Sequence, residues 1–498
     1  MKLTKENINK LYERLKLKAV ESLSSNRLND CLIYLKGAST TAYYFYLGFK
    51  DDVIEDMLKK ISLSIDKDPL PVDFVDDNCV FYDSFSLDNK GLTQQYIRAI
   101  IKAGWNLLYI TESSICDERG KNIINEISQY DKSSIIQIPS DIYGLTRSQF
   151  IYDAVIKFKP RKLFMHISPN AVNAVTAFYA LPRQVEKFQI NLTDHTFWIG
   201  TGCVDYSLEH KSYGASLSVK RRNISKNDVF IIPCYPIVTG TDFLGFPYQC
   251  KDKIIVLSGG AYYKVIDNKD TFFKLAKIVL GTSDEVVILY AGSGDSSLFE
   301  KFIKQNCYED RLILIGYRKD IGEVFRRSDI YLNTYPYIGG LMTQYAAQYS
   351  KPILSYTSIG LCRAEEMVCQ KNHIDLSIFD LESFKVEARK LIMSKEYRDR
   401  RGSEIKNCII SEPEFNKIFI RTVAEKENQF DFILEEERDN DIDAKIRYEN
   451  RTKEFKISLV SIIRFKSLIM FPMLFFEVAK TLLKRRITCR LKSMHFRF

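Results

Sequence analysis

The chain has 498 residues, 46% hydrophobic and 27% charged, a composition that excludes disordered and collagen-like chains. At about 100–200 residues per domain, that length allows two to four domains. The net charge of +9 is unevenly placed: residues 451–498 hold twelve Lys/Arg and two Glu, a balance of +10, so the first 450 residues sum to −1. A near-neutral body argues against nucleic acid as a partner and assigns the electrostatic role to the tail. Eleven cysteines, scattered from Cys31 to Cys489 without a C-x-x-C pair, read as reduced thiols in a cytosolic compartment. The N-terminus lacks the apolar core of a signal peptide, and no stretch reaches the ~18 apolar residues of a membrane span.

Ile8, Leu11, Leu15, Ala19 and Leu23 recur at helical spacing and predict an amphipathic helix over 5–24. Short apolar runs then alternate with helical stretches. Cys79–Tyr82, Asn106–Ile110, Ser134–Ile138, Lys162–Met165 and Phe188–Leu192 read as strands, with helices expected from Gly91 to Ile101, near 145–157 and near 170–181. After the Gly/Pro/aromatic connector Phe243–Asp252 the pattern restarts with Lys253–Leu257, Val286–Tyr290, Leu312–Gly316 and Ile330–Asn333, between helices over 270–280 and 320–327. Strand and helix alternating at this pitch predict parallel sheets covered on both faces.

The expected fold class is therefore α/β, with two tandem Rossmann-like domains and a basic helical C-terminal extension. The expected divisions are a helical/strand segment over 1–77 attached to the first domain, a first Rossmann-like domain over 78–242 and a second over 243–394. Helices over 395–430 return toward the first domain. An acidic linker over 431–450, including EEERDNDID, leads to the basic amphipathic tail over 451–498.

Open parallel sheets bind ligands at the carboxyl ends of their strands, where glycines admit a phosphate and helix starts offer N–H donors. Gly259-Gly260, Gly292-x-Gly294 and Gly316 fall at that edge, as does Gly339-Gly340 after Tyr335-Pro336. Tyr335 to Thr343, with Gly339, Gly340, Leu341 and Met342 between, is the expected diphosphate cradle, because a helix over 341–349 begins there. Lys264 and Arg318 lie just past strand ends, where a cation can neutralise a leaving diphosphate. In the first domain, Asp194-His195 follows a strand beside Trp198, and an imidazole next to a carboxylate can take or hold a proton near neutral pH. His166, also at a strand end, reads as structural. The five histidines have no metal-ligand spacing, and the D-x-D triplets lie in polar runs, so no metal is expected. Gly292-Ser293-Gly294 lacks the third glycine of a dinucleotide fingerprint, and neither a P-loop nor a G-x-S-x-G elbow is present.

These residues resemble the GT-B glycosyltransferases, which move a sugar from a nucleotide donor without a bound metal. The resemblance covers roughly residues 78–425. SGGAYYK (258–264) is similar to the family's donor loop, and VVILYAGSGD (286–295) to its central strand and glycine turn. RLILIGYRKDIGEVFRRSDIYLNTYP (311–336), followed by YIGGLMTQYAAQYSKPILS, is similar to the run through the donor-phosphate loop. FYDSFSLDNKGLTQQYIRAIIKAGWNLLYIT (81–111) resembles the acceptor-side loop, with Gly91 in it, and DHTFWIG (194–200) resembles a stretch whose histidine sits between donor sugar and acceptor. The acidic residue that many members carry seven positions before a proline is Tyr345 here, ahead of Pro352, with Gln344 as the neutral candidate for the ribose contact.

The resemblance implies a metal-independent glycosyltransferase of hexosyltransferase type with no cofactor, its partners a nucleotide-sugar donor and a glycan or lipid-linked acceptor. His195 would act as base, oriented by Asp194, if the enzyme inverts, and would hold the donor sugar if it retains. Two other readings stay open: a nucleotide-sugar epimerase on the same scaffold, and a non-catalytic sugar-nucleotide-binding assembly protein. In the tail, Ser467–Phe476 is a short apolar run broken by Pro472 and flanked by cations. It fits either a segment lying on an anionic membrane surface or a helical hairpin docked on the body. The first reading places the protein on the cytoplasmic face of the membrane, in cell-envelope polysaccharide assembly.

Overall fold

The computed structural model describes residues 4–67, 73–85, 92–238, 240–359, 361–430, 432–434 and 451–495, with side chains through 483. Gly91, the acidic run 435–443 and the cationic side chains beyond 483 lie outside the described residues.

Thirteen strands among the described residues form two parallel sheets. The first has the order β3-β2-β1-β4-β5-β6-β7, built from β1 (Val75–Asp83), β2 (Asn106–Thr111), β3 (Ser133–Gln137), β4 (Pro160–His166), β5 (Glu186–Ile190), β6 (Tyr206–Glu209) and β7 (Val229–Ile231). The second has the order β10-β9-β8-β11-β12-β13, from β8 (Ile254–Gly259), β9 (Val286–Ala291), β10 (Leu312–Gly316), β11 (Ile330–Leu332), β12 (Ile353–Tyr356) and β13 (Ser377–Ile378). Each sheet runs outward to one side of its first strand and then restarts on the other. A crevice therefore opens between β1 and β4 in the first domain and between β8 and β11 in the second. All six residues of β9 are buried, as a central strand covered on both faces requires.

Three N-terminal helices, Lys5–Ser24, Leu28–Phe45 and Asp52–Ser62, pack on one face of the first sheet; Ile8, Leu15, Leu35 and Ile61 are fully buried in the same core as Val80 and Leu163. On the opposite face the helix Glu412–Glu425 lays Phe415 and Phe419 against Tyr96 and Trp105. The preceding helix, Lys395–Lys406, stays with the second domain, where its Ile405 joins the core around Leu257 and Ala346. Among the described residues the chain thus crosses between domains at 232–237 and at 407–411. Gln370 joins the two crossings: its Nε2 donates to the Cys234 carbonyl, and its Oε1 accepts from Ile410 N–H at 2.8 Å.

The C-terminal extension is docked on the body. The helices Thr452–Ile463, Lys466–Met470 and Pro472–His495 fold back on one another, and Lys456 pairs with Glu477 between the first and the last. Phe455, Leu459, Ile463, Met470, Leu474 and Val478 are buried in the N-terminal helical core. At about 1.5–3 kcal/mol for each fully buried apolar side chain, this docking is a substantial part of the fold. No helix among the described residues is long and apolar enough to cross a membrane.

Candidate functional site

In the second domain the glycine turns at the carboxyl edge pack against one another. A Cβ on Gly259 would stand 2.5 Å from the Ala291 carbonyl oxygen, and one on Gly292 2.0 Å from that of Gly260. Gly260 and Gly294 hold φ of +138° and +133°, open to glycine at little cost. The turn after β11 is fixed by Asn333, whose Oδ1 accepts from the N–H groups of Thr334 and Gly339, each at 3.0 Å. The helix Gly340–Gln348 starts at that turn, so its first N–H groups face the crevice between β8 and β11. A cavity of about 310 Å³ opens here, lined by Gly260, Gly292, Arg318, Met342 and Tyr345, with Gln94 reaching in from the first domain.

In the first domain the loop after β5 carries Asp194 and His195. Arg222, buried at 2% exposure, donates through Nη2 to the carbonyls of Asp194 at 2.7 Å and Thr196 at 2.6 Å. From the N-terminal helices, Glu55 accepts from Gly200 N–H at 2.7 Å and also holds Tyr179. The loop is thereby held at both ends. Within it, His195 Nδ1 lies 3.0 Å from Asp194 Oδ1, and Lys211 Nζ lies 3.3 Å from Asp194 Oδ2. Burial disfavours the Asp194 carboxylate, but Lys211, His195 and His210 more than offset this and hold its pKa well below the usual carboxylate range. Lys211 is the mirror case: burial works against its charge, and Asp194, Cys362 and Glu366 carry its pKa well above the ordinary lysine value. An ionised Asp194 can only accept, so Nδ1 of His195 carries the proton and Nε2 is the basic nitrogen.

His195 is 36% exposed and opens onto a second cavity, of about 290 Å³, between the domains. Its walls include Lys264 and the turn Pro336–Ile338 from the second domain, Lys211 and Tyr46 from the first, and Arg451 from the C-terminal extension. Lys264 Nζ donates to the Ile338 carbonyl at 3.3 Å, which sets the cation beside the start of the helix Gly340–Gln348.

The structure thus places Gly260, Gly292 and Met342 in the wall of the first cavity and His195 and Lys264 in the wall of the second, with Asp194 behind His195 and Gly339 and Gly340 at the helix start; the loop from Gly260 to Lys264 borders both cavities. Of the other expected residues, Arg318 lines the first cavity, and Gly259, Gly294, Tyr335, Leu341, Thr343 and Gln344 line neither. Thr343 gives its hydroxyl to the Gly339 carbonyl at 3.0 Å, Leu341 packs toward the second-domain core, and Tyr335 bonds Ser358 at 2.8 Å with its ring against Tyr356. Gly294 packs on Tyr262. Arg318 lines the first cavity but is forked onto Asp320 at 2.7 and 2.5 Å, and its Nη1 donates to the Gly245 carbonyl at 2.9 Å. Its charge is matched by a buried carboxylate, and it forms part of the cavity wall. Gln344 is 2% exposed and donates from Nε2 to the carbonyls of Cys234 and Met367, at 3.0 and 3.2 Å. It fastens the helix to the crossing at 232–237 through its amide N–H groups.

Sequence reading missed Lys211, Asn333 and Arg451. It also missed Asp83, at the end of β1, which holds His166 Nδ1 at 3.0 Å and Tyr109 Oη at 2.8 Å in a fully buried cluster at the first crevice. The strand partners Asp83 and His166 face one another in register, and a paired carboxylate and imidazole at two strand ends was the signal available for them.

No family model matches the chain, and no curated protein matches its sequence. Solved structures do match. An O-GlcNAc transferase mutant from Thermobaculum terrenum aligns at 13% identity over 83% of this chain and 81% of its own, with a TM-score of 0.51. The lipopolysaccharide outer core galactosyltransferase WaaB aligns at 14% identity over 70% of this chain and 99% of its own, with a TM-score of 0.50. HepE from Anabaena, solved in complex with UDP and glucose, aligns at 10% identity over 70% of this chain and 99% of its own, also with a TM-score of 0.50. The fold is that of the GT-B glycosyltransferases: two parallel-sheet Rossmann-like domains whose carboxyl edges meet across a cleft, with helices added at the C-terminus.

Proposed function

We propose that this chain is a glycosyltransferase of hexosyltransferase type, moving a sugar from a nucleotide-sugar donor to a glycan or lipid-linked acceptor in cell-envelope polysaccharide biosynthesis. The observation that carries the reading is the adjacency of the two cavities. One is a glycine-walled pocket at the ends of β8, β9 and β10; the other joins Lys264 to His195 across the cleft. The nucleoside occupies the first. The diphosphate lies over the first turn of the helix Gly340–Gln348, where backbone N–H groups and Lys264 offset its charge without a metal cofactor. The sugar then projects into the second cavity.

There His195 Nε2 takes the proton of the acceptor hydroxyl as the hydroxyl oxygen attacks the anomeric carbon. The bond from that carbon to the diphosphate oxygen breaks, and the diphosphate leaves with the electron pair. In a retaining enzyme the same ring instead holds the donor sugar.

The docked extension leaves a second face outward. Phe465 at the N-cap of the helix Lys466–Met470, Ile469 within it, and Met473 and Phe476 at the start of the next helix are 82%, 84%, 69% and 62% exposed. Exposed Arg464 and Lys480 flank this row, while Lys466 is paired with Asp30 at 2.9 Å. An apolar row beside cations suits an anionic bilayer surface, and we place the protein peripherally on the cytoplasmic membrane face by this row. The similarity to WaaB, a lipopolysaccharide outer core galactosyltransferase, supports that setting.

The test is incubation of the purified full chain with a panel of nucleotide sugars and membrane lipid extract, read by mass analysis. A glycosylated acceptor with release of nucleoside diphosphate supports transfer. A free epimer, or intact donor throughout, overturns it.

A further inference from the structure

The cavity that holds His195 has an unusual charge balance in its walls. Lys211, Lys264 and Arg451 contribute three cations, and no Asp or Glu is among the described residues that line it. Of the carboxylates nearby, Asp194 and Glu366 are engaged with Lys211, at 3.3 and 4.0 Å, and Glu454 bonds Arg451 Nε at 3.0 Å. Glu454 is 61% exposed and Arg451 20% exposed. Arg451 is seated by aromatic faces, its Cζ 4.7 Å from the Tyr44 ring centroid and 5.8 Å from that of Tyr263. These rings come from opposite sides of the cleft, one from the N-terminal helices and one from the loop after β8. The Nη groups of Arg451 make no hydrogen bond among the described residues. Burial lowers and Tyr43, Tyr44 and Glu454 raise its pKa, so the group stays charged.

A guanidinium seated on two rings and offering its Nη fork is suited to an oxyanion with two acceptor oxygens, a phosphate above all. Lys264 stands beside the helix start where the donor diphosphate rests, whereas Arg451 belongs to the extension and stacks more closely on Tyr44 of the N-terminal helices, at 4.7 Å, than on Tyr263 of the second domain, at 5.8 Å. The helix that begins at Thr452 is twelve residues long, about 18 Å, and ends next to the outward apolar row.

We infer that Arg451 binds an anionic group of the acceptor, a phosphate, so that the C-terminal extension supplies part of the acceptor site as well as a surface. This rests on the glycosyltransferase reading for the word acceptor; the anion preference of the cavity stands on its own geometry. A phosphate-linked lipid acceptor satisfies both ends of the extension, its phosphate on Arg451 and its chain toward the apolar row.

The experiment compares the full chain with its Arg451→Gln, Arg451→Lys and Glu454→Gln variants, using hexyl phosphate and hexyl glucoside as matched anionic and neutral probes. Titration calorimetry is run with and without the nucleoside diphosphate that most stabilises the unaltered chain. Hexyl phosphate should bind at least tenfold more tightly than hexyl glucoside. Arg451→Gln should lose about tenfold in hexyl phosphate affinity, the scale of a charge-assisted hydrogen bond, with nucleoside diphosphate affinity unchanged. Arg451→Lys should recover part of the loss, and Glu454→Gln, which removes the competing carboxylate, should strengthen hexyl phosphate binding. Equal binding of the two probes overturns the inference, as does an equal loss of nucleoside diphosphate affinity in Arg451→Gln, which would assign Arg451 to the donor. If no nucleotide binds at all, the glycosyltransferase reading fails while the probe comparison still decides whether the cavity selects an anion.

Discussion

His195 Nδ1 lies 3.0 Å from Asp194 Oδ1, and the other oxygen of that carboxylate is held by Lys211. The carboxylate is thus shared between a lysine that keeps it ionised and a histidine whose tautomer it sets. His195→Ala should lower kcat for transfer by about 10²–10⁴-fold, the range of a general base, with nucleoside diphosphate affinity unaffected. Steady-state kinetics beside calorimetry of nucleotide binding separates the two quantities. An unchanged kcat removes His195 from the reaction.

Asp194→Asn acts on stability as well. It leaves the Lys211 ammonium, 14% exposed, without its main partner, and breaking a buried ion pair costs about 3–5 kcal/mol. Gly214 sharpens the test, because a Cβ there would come within 2.8 Å of Asp194 Cβ. Gly214→Ala should therefore reproduce part of the kinetic loss by displacing the carboxylate while leaving it charged. Urea midpoints and kcat measured on both variants check this.

The pH dependence of stability has a definite sign. His210, its Nδ1 2.8 Å from Cys234 Sγ, has its pKa pushed down to about 4 by burial, against the opposing pull of Asp194. The unfolded chain therefore binds a proton between about pH 6.5 and 4 that the folded chain does not, so stability falls as pH drops through this window, by at most about 3 kcal/mol. The depressed pKa of Asp194 adds stability that is present above the ordinary carboxylate pKa and is lost only at more acid pH. Chemical denaturation at a series of pH values should show the slope, and His210→Gln should flatten it between pH 6.5 and 4.

Much of the fold was legible because buried parallel strands read as apolar runs, as in Val286–Ala291. The strand Tyr206–Glu209 was not, because its Ser207 and Glu209 are polar. They are buried only because Asn191, Ser207 and Ser218 hydrogen-bond the Glu209 carboxylate. Overlooking that strand also hid Lys211, two residues past its end, whose contact with Asp194 exists only once β5 and β6 lie side by side. The glycine turns were legible at strand ends. The partners of Gln344 were not, since Cys234 and Met367 receive that side chain through backbone carbonyls that no residue type reveals. Arg451 counted in the sequence only as one charge of a basic tail, and its place in the cleft depends on the docking of the following helix.

The two faces of the extension should separate cleanly. Leu459→Ala, at a fully buried position, should cost about 2–5 kcal/mol in stability. Replacing Phe465, Ile469, Met473 and Phe476 by serine should leave stability within about 0.5 kcal/mol per site and abolish flotation with anionic vesicles. Undiminished flotation of that quadruple variant removes the apolar row as a membrane surface.

The glycine-walled pocket gives the most direct test of a nucleotide-sugar site. In Gly292→Ala the added Cβ would stand 2.0 Å from the Gly260 carbonyl oxygen, two backbone turns with no flexible side chain to yield. The measurement is the Tm of the full chain and of this variant across a panel of nucleotide sugars and nucleoside diphosphates. A ligand at 100 times its Kd stabilises the folded state by about 2.7 kcal/mol. A clear rise in Tm with at least one nucleotide, lost in Gly292→Ala, is the expected result; no rise with any nucleotide, or the same rise in the variant, would contradict a donor site at the ends of β8, β9 and β10.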